Sequence, residues 1–505
     1  METVIIAPLP DTNVAETAVN DLLPQLRRAF IGLDTRYPLA DGSTRRRIYL
    51  DSSASTLMME PAYEAARHYL GHYANTHTTV HTAAKITAHT MRWASDTTLK
   101  FLGADPQHYL ATFLGSGATA AANRAAAGLA QLRPERDVVL ISSMEHHSND
   151  LPHRRHSKTV EHIPLQGGGP HPGTVDLDAL SALLHKHAGR VNYVAITGVS
   201  NVTGIINPLK EIAALAHQHD AYLLVDGAQM SAHAPANLSA NDIDLYLFSG
   251  HKVYAPGSPG VLVARRALID AMSPHEVGGG MVAAVSKWGY DLAESADERE
   301  QAGTPNILGT ITLACALESL QRADMVRIFD EERTLLRWAR DQLRQCPNLT
   351  LYGDEDQHDR VGAIAFNLDG IGHGLVAAIL NDYHAIAVRN ECFCAHPYVQ
   401  EMLSEEFAEI DIDGLDNDAV NRLFQDRRGM VRASFGLYTC REDITALVNA
   451  LKDIETNIEH YRPHYRACPD GRYEHLSFRP DPATLFDIEE TLARQLDALR
   501  TSAQR

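Results

Sequence analysis

A lysine and an aspartate each follow an apolar run that is typical of a buried strand. The run at 242–248 leads into Ser249-Gly250-His251-Lys252, and the run at 221–225 ends at Asp226. A lysine at the end of a buried strand is easily desolvated, which lowers its pKa and makes it a nucleophilic amine able to form a Schiff base. A carboxylate at another strand end can keep a pyridinium nitrogen protonated. This pairing is what pyridoxal 5'-phosphate (PLP) chemistry requires, so the sequence predicts a PLP site.

A loop rich in Gly, Ser and Thr, at 113–123, opens an alanine-rich stretch with helical character. Backbone N–H groups and the positive end of the helix dipole would hold a phosphate there, helped by Ser116 and Thr119. Taken alone the loop is weak support, because glycine turns before helices are common and usually structural. Lys252 alone could likewise be a solvated loop charge, and Asp226-Gly227 a turn.

Three more polar residues follow apolar runs and suit the same cofactor. His146 could stack on a planar ring and take part in proton transfer, although in a chain with 26 histidines a surface histidine is the ordinary alternative. Asn201 and Gln229 can each donate a hydrogen bond to a phenolate oxygen. These pieces support PLP binding by their number and their order along the chain.

Composition narrows the functional class. The chain has 505 residues, 45% of them hydrophobic, and 45 Lys and Arg against 64 Asp and Glu, for a formal net charge of -19. This balance argues against nucleic acid or an anionic membrane as the main partner, since both attract basic surfaces. We find no secretory signal and no apolar run long enough to span a bilayer. The six cysteines are irregularly spaced, and the histidines at 72–89 lack HExxH spacing, so we expect a reduced, cytoplasmic enzyme without a metal site.

The elements that must position these residues form an α/β pattern. Short apolar strands alternate with helical stretches at 176–187 and 209–220, which predicts βαβ units and a mostly parallel sheet. In such sheets the ligand lies at the carboxyl ends of the strands, where Asp226 and Lys252 fall. The clearest predicted strands are at 137–141, 193–197, 221–225, 245–248 and 260–264.

The pattern divides the chain into four parts. We expect an N-terminal helical arm at 1–47, a large PLP-binding domain at 48–312, a smaller C-terminal α/β domain at 313–464 and a C-terminal extension at 465–505. The arm carries apolar residues at helical spacing, namely Val19, Leu22, Leu23, Leu26 and Phe30. The extension does so too, with Leu485, Ile488, Leu492, Leu496 and Leu499, which we expect to pack on the protein's own surface or across a dimer contact.

With these residues in place, the sequence resembles the class V aminotransferase fold of PLP enzymes (fold type I), and within it the cysteine desulfurases of the sulfur-mobilising branch. The likeness runs from about Asp21 to Thr439. Its anchors are Ile48-Tyr-Leu-Asp-Ser-Ser-Ala-Ser55, Asn75-Thr-His77, Ser116-Gly-Ala-Thr119, Met144-Glu-His-His-Ser-Asn149, Ser200-Asn-Val-Thr-Gly204, Val225-Asp-Gly-Ala-Gln229, Phe248-Ser-Gly-His-Lys252, Ala302-Gly-Thr-Pro-Asn306, Val388-Arg389 through Cys394-Ala-His-Pro397, and Val431-Arg432-Ala-Ser434.

The resemblance implies roles around the cofactor ring. Lys252 would be the Schiff-base lysine and proton shuttle, and Asp226 the partner of the pyridine nitrogen. His146 would be the stacking residue, and Asn201 and Gln229 would tune the cofactor's oxygen.

The resemblance also implies how the phosphate is held. Thr119, Ser249 and His251 would bind it, and Ala118 in the same loop is a further cofactor-binding position. Thr304 would reach in from the second subunit of a homodimer with a shared active site.

On the substrate side, Arg389 and Arg432 match positions that hold the substrate carboxylate, a role that suits the planar fork of arginine. His77 is a further substrate-binding position. Cys394 occupies the position of the desulfurase nucleophile. Its thiolate would attack the sulfur of a bound cysteine and leave a persulfide on the enzyme while alanine is released, for which it needs a lowered pKa or a nearby base. A protein could then accept the sulfur.

Departures from the desulfurase pattern keep other functions open. Thr78, Ala120 and Gln301 replace Arg, Glu and Glu of typical desulfurases, and the segment between Cys394 and Arg432 is longer and more acidic. Cys394 could therefore be an inert pocket cysteine, in a class V aminotransferase, epimerase or lyase acting on a larger amino acid. A third alternative is a sulfur-carrier or scaffold partner that has lost turnover.

Overall fold

The protein is described here from a computed structural model that covers residues 21–356, 359–405, 427–468 and 471–502. Most of the acidic segment after Cys394, at 406–426, and Val19 of the predicted N-terminal helix lie outside the described residues.

A seven-stranded sheet forms the centre of the molecule. In chain order its strands are β1 Tyr109–Leu114, β2 Val138–Ser142, β3 Thr159–Ile163, β4 Val191–Thr197, β5 Tyr222–Asp226, β6 Leu245–Ser249 and β7 Gly260–Arg265. Across the sheet they run in the order β1-β7-β6-β5-β4-β2-β3. Strand β7 is antiparallel to both of its neighbours, whereas β2 to β6 pair in parallel. The predicted α/β fold with a mostly parallel sheet is confirmed.

Burial explains why these runs form strands. Every residue of β2, β4 and β6 is buried, as expected for a parallel sheet that is covered on both faces. One layer of apolar side chains includes Val194, Leu223 and Phe248, and the other includes Tyr193, Leu224 and Leu247. Because successive residues of a strand point to opposite faces, the two layers alternate along each strand.

A second sheet and core lie in the C-terminal half. Its strands are Leu349–Leu351, Ala363–Leu368, Met430–Ser434 and Arg389–Glu391, in that spatial order and all antiparallel. Its apolar core takes in Leu336, Phe366, Leu380 and Leu451. The helix Ile307–Arg322 crosses the predicted domain boundary at 312/313, and its buried residues pack with the core of the large sheet.

The N-terminal arm differs from the predicted helical arm. Within its described part, from 21 to 47, only Leu22–Leu26 are α-helical, and Arg36–Pro38 pairs with Thr44–Arg46 as an antiparallel hairpin. Leu23, Leu26 and Phe30 are nevertheless buried in the core of the large sheet. The apolar spacing therefore marked buried residues correctly, although tertiary contacts rather than a long helix bury them.

The C-terminal extension does form the expected helix, Ile488–Ser502. Its apolar residues are not packed on the chain's own surface, because Ile488, Leu492, Leu496 and Leu499 are 66%, 58%, 49% and 65% exposed. A dimer contact on this helix remains a prediction.

The described chain contains further α-helices and short strands. The remaining α-helices are Glu60–Tyr69, Thr82–Phe101, Gly117–Leu132, Leu151–His156, Leu177–Lys186, Leu209–Gln218, Met230–His233, Arg266–Ala271, Ala296–Arg299, Met325–Leu343, His373–His384, His396–Met402, Arg441–Thr456, Ile458–Tyr461 and Pro482–Leu485. Short strands are Ile48–Tyr49, Ile386–Ala387, Val282–Val285, Tyr290–Leu292, Tyr465–Ala467 and Tyr473–His475. No helix in the described ranges is long and apolar enough to cross a membrane.

Candidate active site

A cavity of about 340 Å³ opens at the carboxyl ends of the parallel strands. All but two of the predicted site residues line it: Ala118, Thr119, His146, Asn201, Asp226, Gln229, Ser249, His251, Lys252, Arg389, Cys394 and Arg432. The position agrees with the rule that ligands of parallel sheets bind at the carboxyl ends of strands. His77 and Thr304 do not line the cavity within one chain.

Asp226 and Lys252 face the same cavity from neighbouring strand ends. Asp226 ends β5 and is only 4% exposed, and burial raises the pKa of its carboxyl group. Lys252 lies in the short 3-10 turn after β6, where desolvation lowers the pKa of its amine while Asp226 opposes that change. The only hydrogen bond given to the Asp226 side chain by a described residue comes from the Ala228 N–H, at 2.9 Å from Oδ1. The other carboxylate oxygen therefore remains able to accept a proton donor.

One end of the cavity is rich in hydroxyl and backbone donors. The helix Gly117–Leu132 starts there, and Ser249 Oγ accepts a hydrogen bond of 2.6 Å from the Ala118 N–H. Thr119 Oγ1 lies 2.7 Å from Ser148 Oγ. Gly117 has φ +61, and a Cβ at that position would lie 2.7 Å from Ser249 Oγ, so the loop requires glycine. A helix N-terminus surrounded by hydroxyl groups is suited to an anion such as phosphate.

His146 presents a neutral imidazole to the cavity. Burial, and to a lesser extent Lys252, lowers the pKa of His146 to about 3. Its Nδ1 accepts a hydrogen bond of 3.1 Å from the Ser148 N–H, which places the ring proton on Nε2. A neutral ring with a fixed tautomer suits stacking on a planar group and donation from Nε2.

Beneath His146 lies a buried chain of hydrogen bonds. The His153 Nδ1 atom is 2.8 Å from the Tyr193 hydroxyl, and its Nε2 is 3.0 Å from Asn149 Oδ1. The Asn149 amide in turn donates to Glu145 at 2.7 Å. Because burial lowers the pKa of His153 to about 4, the ring stays neutral at neutral pH, and its single N–H, on Nε2, donates a hydrogen bond to Asn149 Oδ1.

This neutral histidine predicts an acid-labile fold. In the unfolded chain a histidine titrates near pH 6.5, whereas His153 in the folded chain does so near 4, so the unfolded state binds more protons between these values. The contribution of His153 to stability is therefore lost as pH falls, by about 2 kcal/mol between pH 7 and pH 5. In urea unfolding at pH 7, His153→Gln should have a lower free energy of unfolding than wild type. At pH 5 this difference in free energy of unfolding should be smaller by the same amount, because only wild type loses the contribution of His153.

The exposed His108 provides the matched control for this measurement. His108→Gln should keep the wild-type dependence of stability on pH, since its side chain is 70% exposed. A gap between wild type and His153→Gln that is the same at pH 7 and pH 5 would contradict the assignment.

Asn201 and Gln229 reach the cavity but also hold its walls. The Asn201 amide donates to the Phe393 carbonyl at 2.9 Å, and the Gln229 amide donates to the Ser53 carbonyl at 2.9 Å. An amide nitrogen carries two protons, so each side chain retains one for a ligand oxygen.

The two arginines differ in how they are held. Arg432 is buried, and its guanidinium donates to the Asn201 carbonyl at 2.9 Å and to Asp51 at 3.1 Å, over the ring of Phe393. Burial lowers its pKa to about 10, although Asp51 opposes the shift. Arg389 is exposed at the cavity mouth, with no ion pair to any described residue. Together they supply one fixed and one adaptable fork for a carboxylate.

Cys394 lies on a tightly turned loop at the cavity edge. Phe393 and Cys394 have φ +52 and +56, a left-handed conformation that is uncommon for residues other than glycine. The loop is held by the His147 N–H, which donates to the Cys394 carbonyl at 2.8 Å, and by the Asn201 amide on Phe393. Cys394 is exposed, so its sulfur is accessible from the cavity.

His77 and Thr304 lie together elsewhere. His77 Nε2 is 3.2 Å from the Gly303 carbonyl, and the Asn75 amide donates to Thr304 Oγ1 at 2.8 Å. That Thr304 acts in a second subunit, and that His77 binds substrate, both stay predictions.

Several cavity residues were not identified from the sequence as site residues. Ser53, Ser148, Thr197, Ser258 and Phe393 line the cavity as well. Asp51, which fixes Arg432, was also missed, although it lies in a motif that carries the resemblance. A carboxylate two residues past a short strand gives no local signal that it pairs with an arginine nearly four hundred residues later.

Two observations concern the cysteines and the other side chains that could bind a metal ion. All six cysteines are free thiols. Across the described ranges, no group of three or more His, Cys, Asp and Glu side chains is arranged to hold a metal ion.

Comparison with known proteins agrees with this geometry. The family model described as aminotransferase class-V matches residues 48–447. Two curated relatives named cysteine desulfurase, from Shigella sonnei (strain Ss046) and Escherichia coli (strain K12 / DH10B), are each 35% identical over 413 residues, which is 80% of this chain and 93% of theirs.

Solved structures are similar over most of the chain. A cysteine desulfurase from Thermococcus onnurineus NA1 superposes with a TM-score of 0.72 at 28% identity, and one from Escherichia coli with 0.68 at 30% identity. Each match covers 88% of this chain and 100% of the other. With a family model spanning most of its length and relatives of this similarity, the chain belongs to the class V aminotransferase family of PLP-dependent enzymes.

Proposed function

We propose that the protein is a cysteine desulfurase that converts L-cysteine to alanine and leaves the sulfur as a persulfide on Cys394. The observation that carries the proposal is the presence of Cys394 and Lys252 in one cavity together with Arg389 and Arg432. This set combines a nucleophilic thiol, a desolvated amine and two carboxylate-binding groups. The relatives named cysteine desulfurase support the same reaction.

The residues of the cavity fit PLP. Asp226 is buried with one carboxylate oxygen free to accept a pyridinium N–H, and the donor-rich end at Ala118, Thr119 and Ser249 suits a phosphate. Ser53 Oγ is a buried cavity atom without a hydrogen-bond partner among the described residues, so a polar ligand would satisfy it. When bound, PLP would supply an electron sink for the carbanion chemistry of the amino acid.

Each residue then has a defined task. Arg389 and Arg432 would grip the substrate carboxylate and so orient the amino acid between Lys252 and Cys394. Lys252, whose pKa is lowered by desolvation, would take the proton from the substrate Cα and return protons to the product. His146 would remain neutral and keep the ring side of the cavity closed to water.

The transfer of sulfur to Cys394 needs no outside oxidant. The Cys394 thiolate attacks the substrate sulfur, and a sulfur–sulfur bond forms as the Cβ–S bond breaks. The bonding pair of Cβ–S stays with the substrate carbon, which is protonated to give the methyl group of alanine. The persulfide sulfur would leave later to a thiol reductant or to an acceptor protein.

We further propose that the enzyme works as a homodimer in which Thr304 completes the phosphate site of the partner, and that a protein accepts the sulfur. The exposed position of Cys394 supports delivery to a large acceptor. A cytoplasmic location, without nucleic acid or membrane as partner, stays a prediction from composition.

Product analysis tests the proposed reaction. The full chain, loaded with PLP and supplied with L-cysteine and dithiothreitol, should release alanine and sulfide in equal amounts. L-Serine, which has no sulfur, should give no alanine. Release of neither product from L-cysteine would contradict the proposal, and conversion of larger amino acids to keto acids instead would indicate an aminotransferase.

A further inference from the structure

A second cavity, which we call the arginine cavity, shares no lining residue with the active site. It has a volume of about 160 Å³ and is lined by Arg333, Leu336, Arg337, Arg340, Asp341, Arg344, Glu355 and Arg360. Five guanidinium groups thus face two carboxylates. Positive charge therefore exceeds negative charge in the lining of this cavity, whereas the whole chain has a formal net charge of -19.

The helix Met325–Leu343 and the residue that follows it create the arrangement. Arg333, Arg337, Arg340 and Arg344 are spaced four, three and four residues apart, so they share one face of the helix. Like charges at this spacing repel one another and weaken the helix. The stability of the helix therefore does not account for four arginines on one of its faces.

Two arginines of the cavity have close carboxylate partners among the described residues. Arg333 pairs with Asp359 at 3.0 Å, and Arg344 pairs with Asp341 at 2.9 Å. Arg340 is only 6% exposed, yet it makes no side-chain hydrogen bond or ion pair to any residue that the structure describes, and its Nη2 atom is buried. A buried guanidinium without an acceptor is costly, because its desolvation is not offset.

Burial and neighbouring arginines lower the pKa values of the two buried arginines of the cavity. Burial, followed by the neighbouring Arg344, lowers the pKa of Arg340 to about 10. Arg360 is 2% exposed, and burial followed by Arg340 lowers its pKa to about 9. The charged forms of both side chains are therefore disfavoured in the folded chain, and a bound anion would relieve this.

We infer that the arginine cavity is a binding site for a small anion that carries two or more phosphate or carboxylate groups. Arginine binds both groups through its planar fork, and the buried Nη2 atom of Arg340 has no acceptor among the described residues. The volume exceeds several-fold the roughly 10–15 Å³ that one water needs, so an anion of several heavy atoms fits. The inference does not depend on the reaction proposed for the active site.

Calorimetry on the PLP-loaded full chain tests this, because PLP would occupy the phosphate-binding end of the active site. Pyrophosphate and citrate are the probes for the phosphate and carboxylate sources, and sodium chloride at matched ionic strength is the control. We expect saturable binding of at least one probe. Arg340→Met should weaken it about tenfold or more, since a charge-assisted hydrogen bond is lost.

Two further variants test whether binding depends on the arginine cavity. Arg337→Gln, on the exposed rim, should also weaken binding and cannot disturb the core, whereas Arg322→Gln removes an exposed arginine of the preceding helix and should not. Without any probe, Arg340→Met should melt no lower than wild type, since it removes a desolvated charge. The inference is overturned if neither probe binds beyond the chloride effect, or if both cavity variants bind like wild type.

Discussion

Replacing Lys252 with alanine is expected to lower alanine formation from L-cysteine by a factor on the order of 10² to 10⁴, the range for loss of a positioned acid or base. The amine lies in the cavity opposite Asp226, and desolvation lowers its pKa, so it is poised both to bind a carbonyl carbon and to move a proton. Lys252 is the only lysine among the described residues that line the cavity, so no second amine there can take over its role. The measurement is the initial rate of alanine release at saturating L-cysteine.

Lys210 supplies the control for this substitution. It is an exposed lysine on the helix Leu209–Gln218, so Lys210→Ala should keep the wild-type rate. Borohydride should link PLP covalently to the wild-type protein, so that its absorbance stays with the protein. It should not link PLP to the Lys252→Ala variant. A Lys252→Ala protein that turns over like wild type would remove the chemical basis of the proposed function.

The second large effect concerns Cys394, where Cys394→Ala should lower sulfide release by a factor on the order of 10³ or more. The chain contains its own matched control two residues away. Cys392 donates its thiol hydrogen to the Arg428 carbonyl, and burial raises its pKa to about 11, so it stays protonated at neutral pH. Because the thiolate is the nucleophile, Cys392→Ala should retain most of the activity.

A second readout separates loss of chemistry from loss of binding. Arg389, Arg432 and Lys252 are unchanged in Cys394→Ala, so L-cysteine should still alter the absorbance of the PLP-loaded variant. Alkylation of the wild-type protein after turnover should locate a persulfide on the peptide that contains Cys394. Full activity in Cys394→Ala would instead favour the alternative of an aminotransferase, epimerase or lyase.

Two histidines, His147 and His396, lie next to Cys394 and stack on each other. His147 and His396 stack with ring centroids 4.9 Å apart, and His147 also donates its backbone N–H to the Cys394 carbonyl. These contacts, with the Asn201 amide on Phe393, balance a loop whose left-handed residues are unfavourable in isolation. These contacts hold the backbone of the loop, while the Cys394 side chain stays exposed.

The sequence determined the strands of the large sheet and the polar residues at their carboxyl ends, because both depend on local patterns. The apolar runs that predicted strands at 221–225 and 245–248 are β5 and β6, and a polar residue at the end of such a run must lie at the edge of the sheet. Asp226, Ser249 and Lys252 therefore fell into one cavity as predicted. The prediction of a helical N-terminal arm was wrong for the same kind of pattern. Leu23, Leu26 and Phe30 are buried by tertiary packing and not by a long helix.

What only the tertiary structure decided involves partners far apart in the chain. Asp51 meets Arg432 because Asp51 pairs with Ser434 in a parallel β-bridge, which joins the start of the large domain to the strand Met430–Ser434. The arginine cavity likewise needs the face of one helix to meet Glu355 and Arg360. Local periodicity reports whether a residue is buried or exposed, but it carries no information about which distant charge lies opposite. That choice depends on long-range packing, which the folded chain alone reveals.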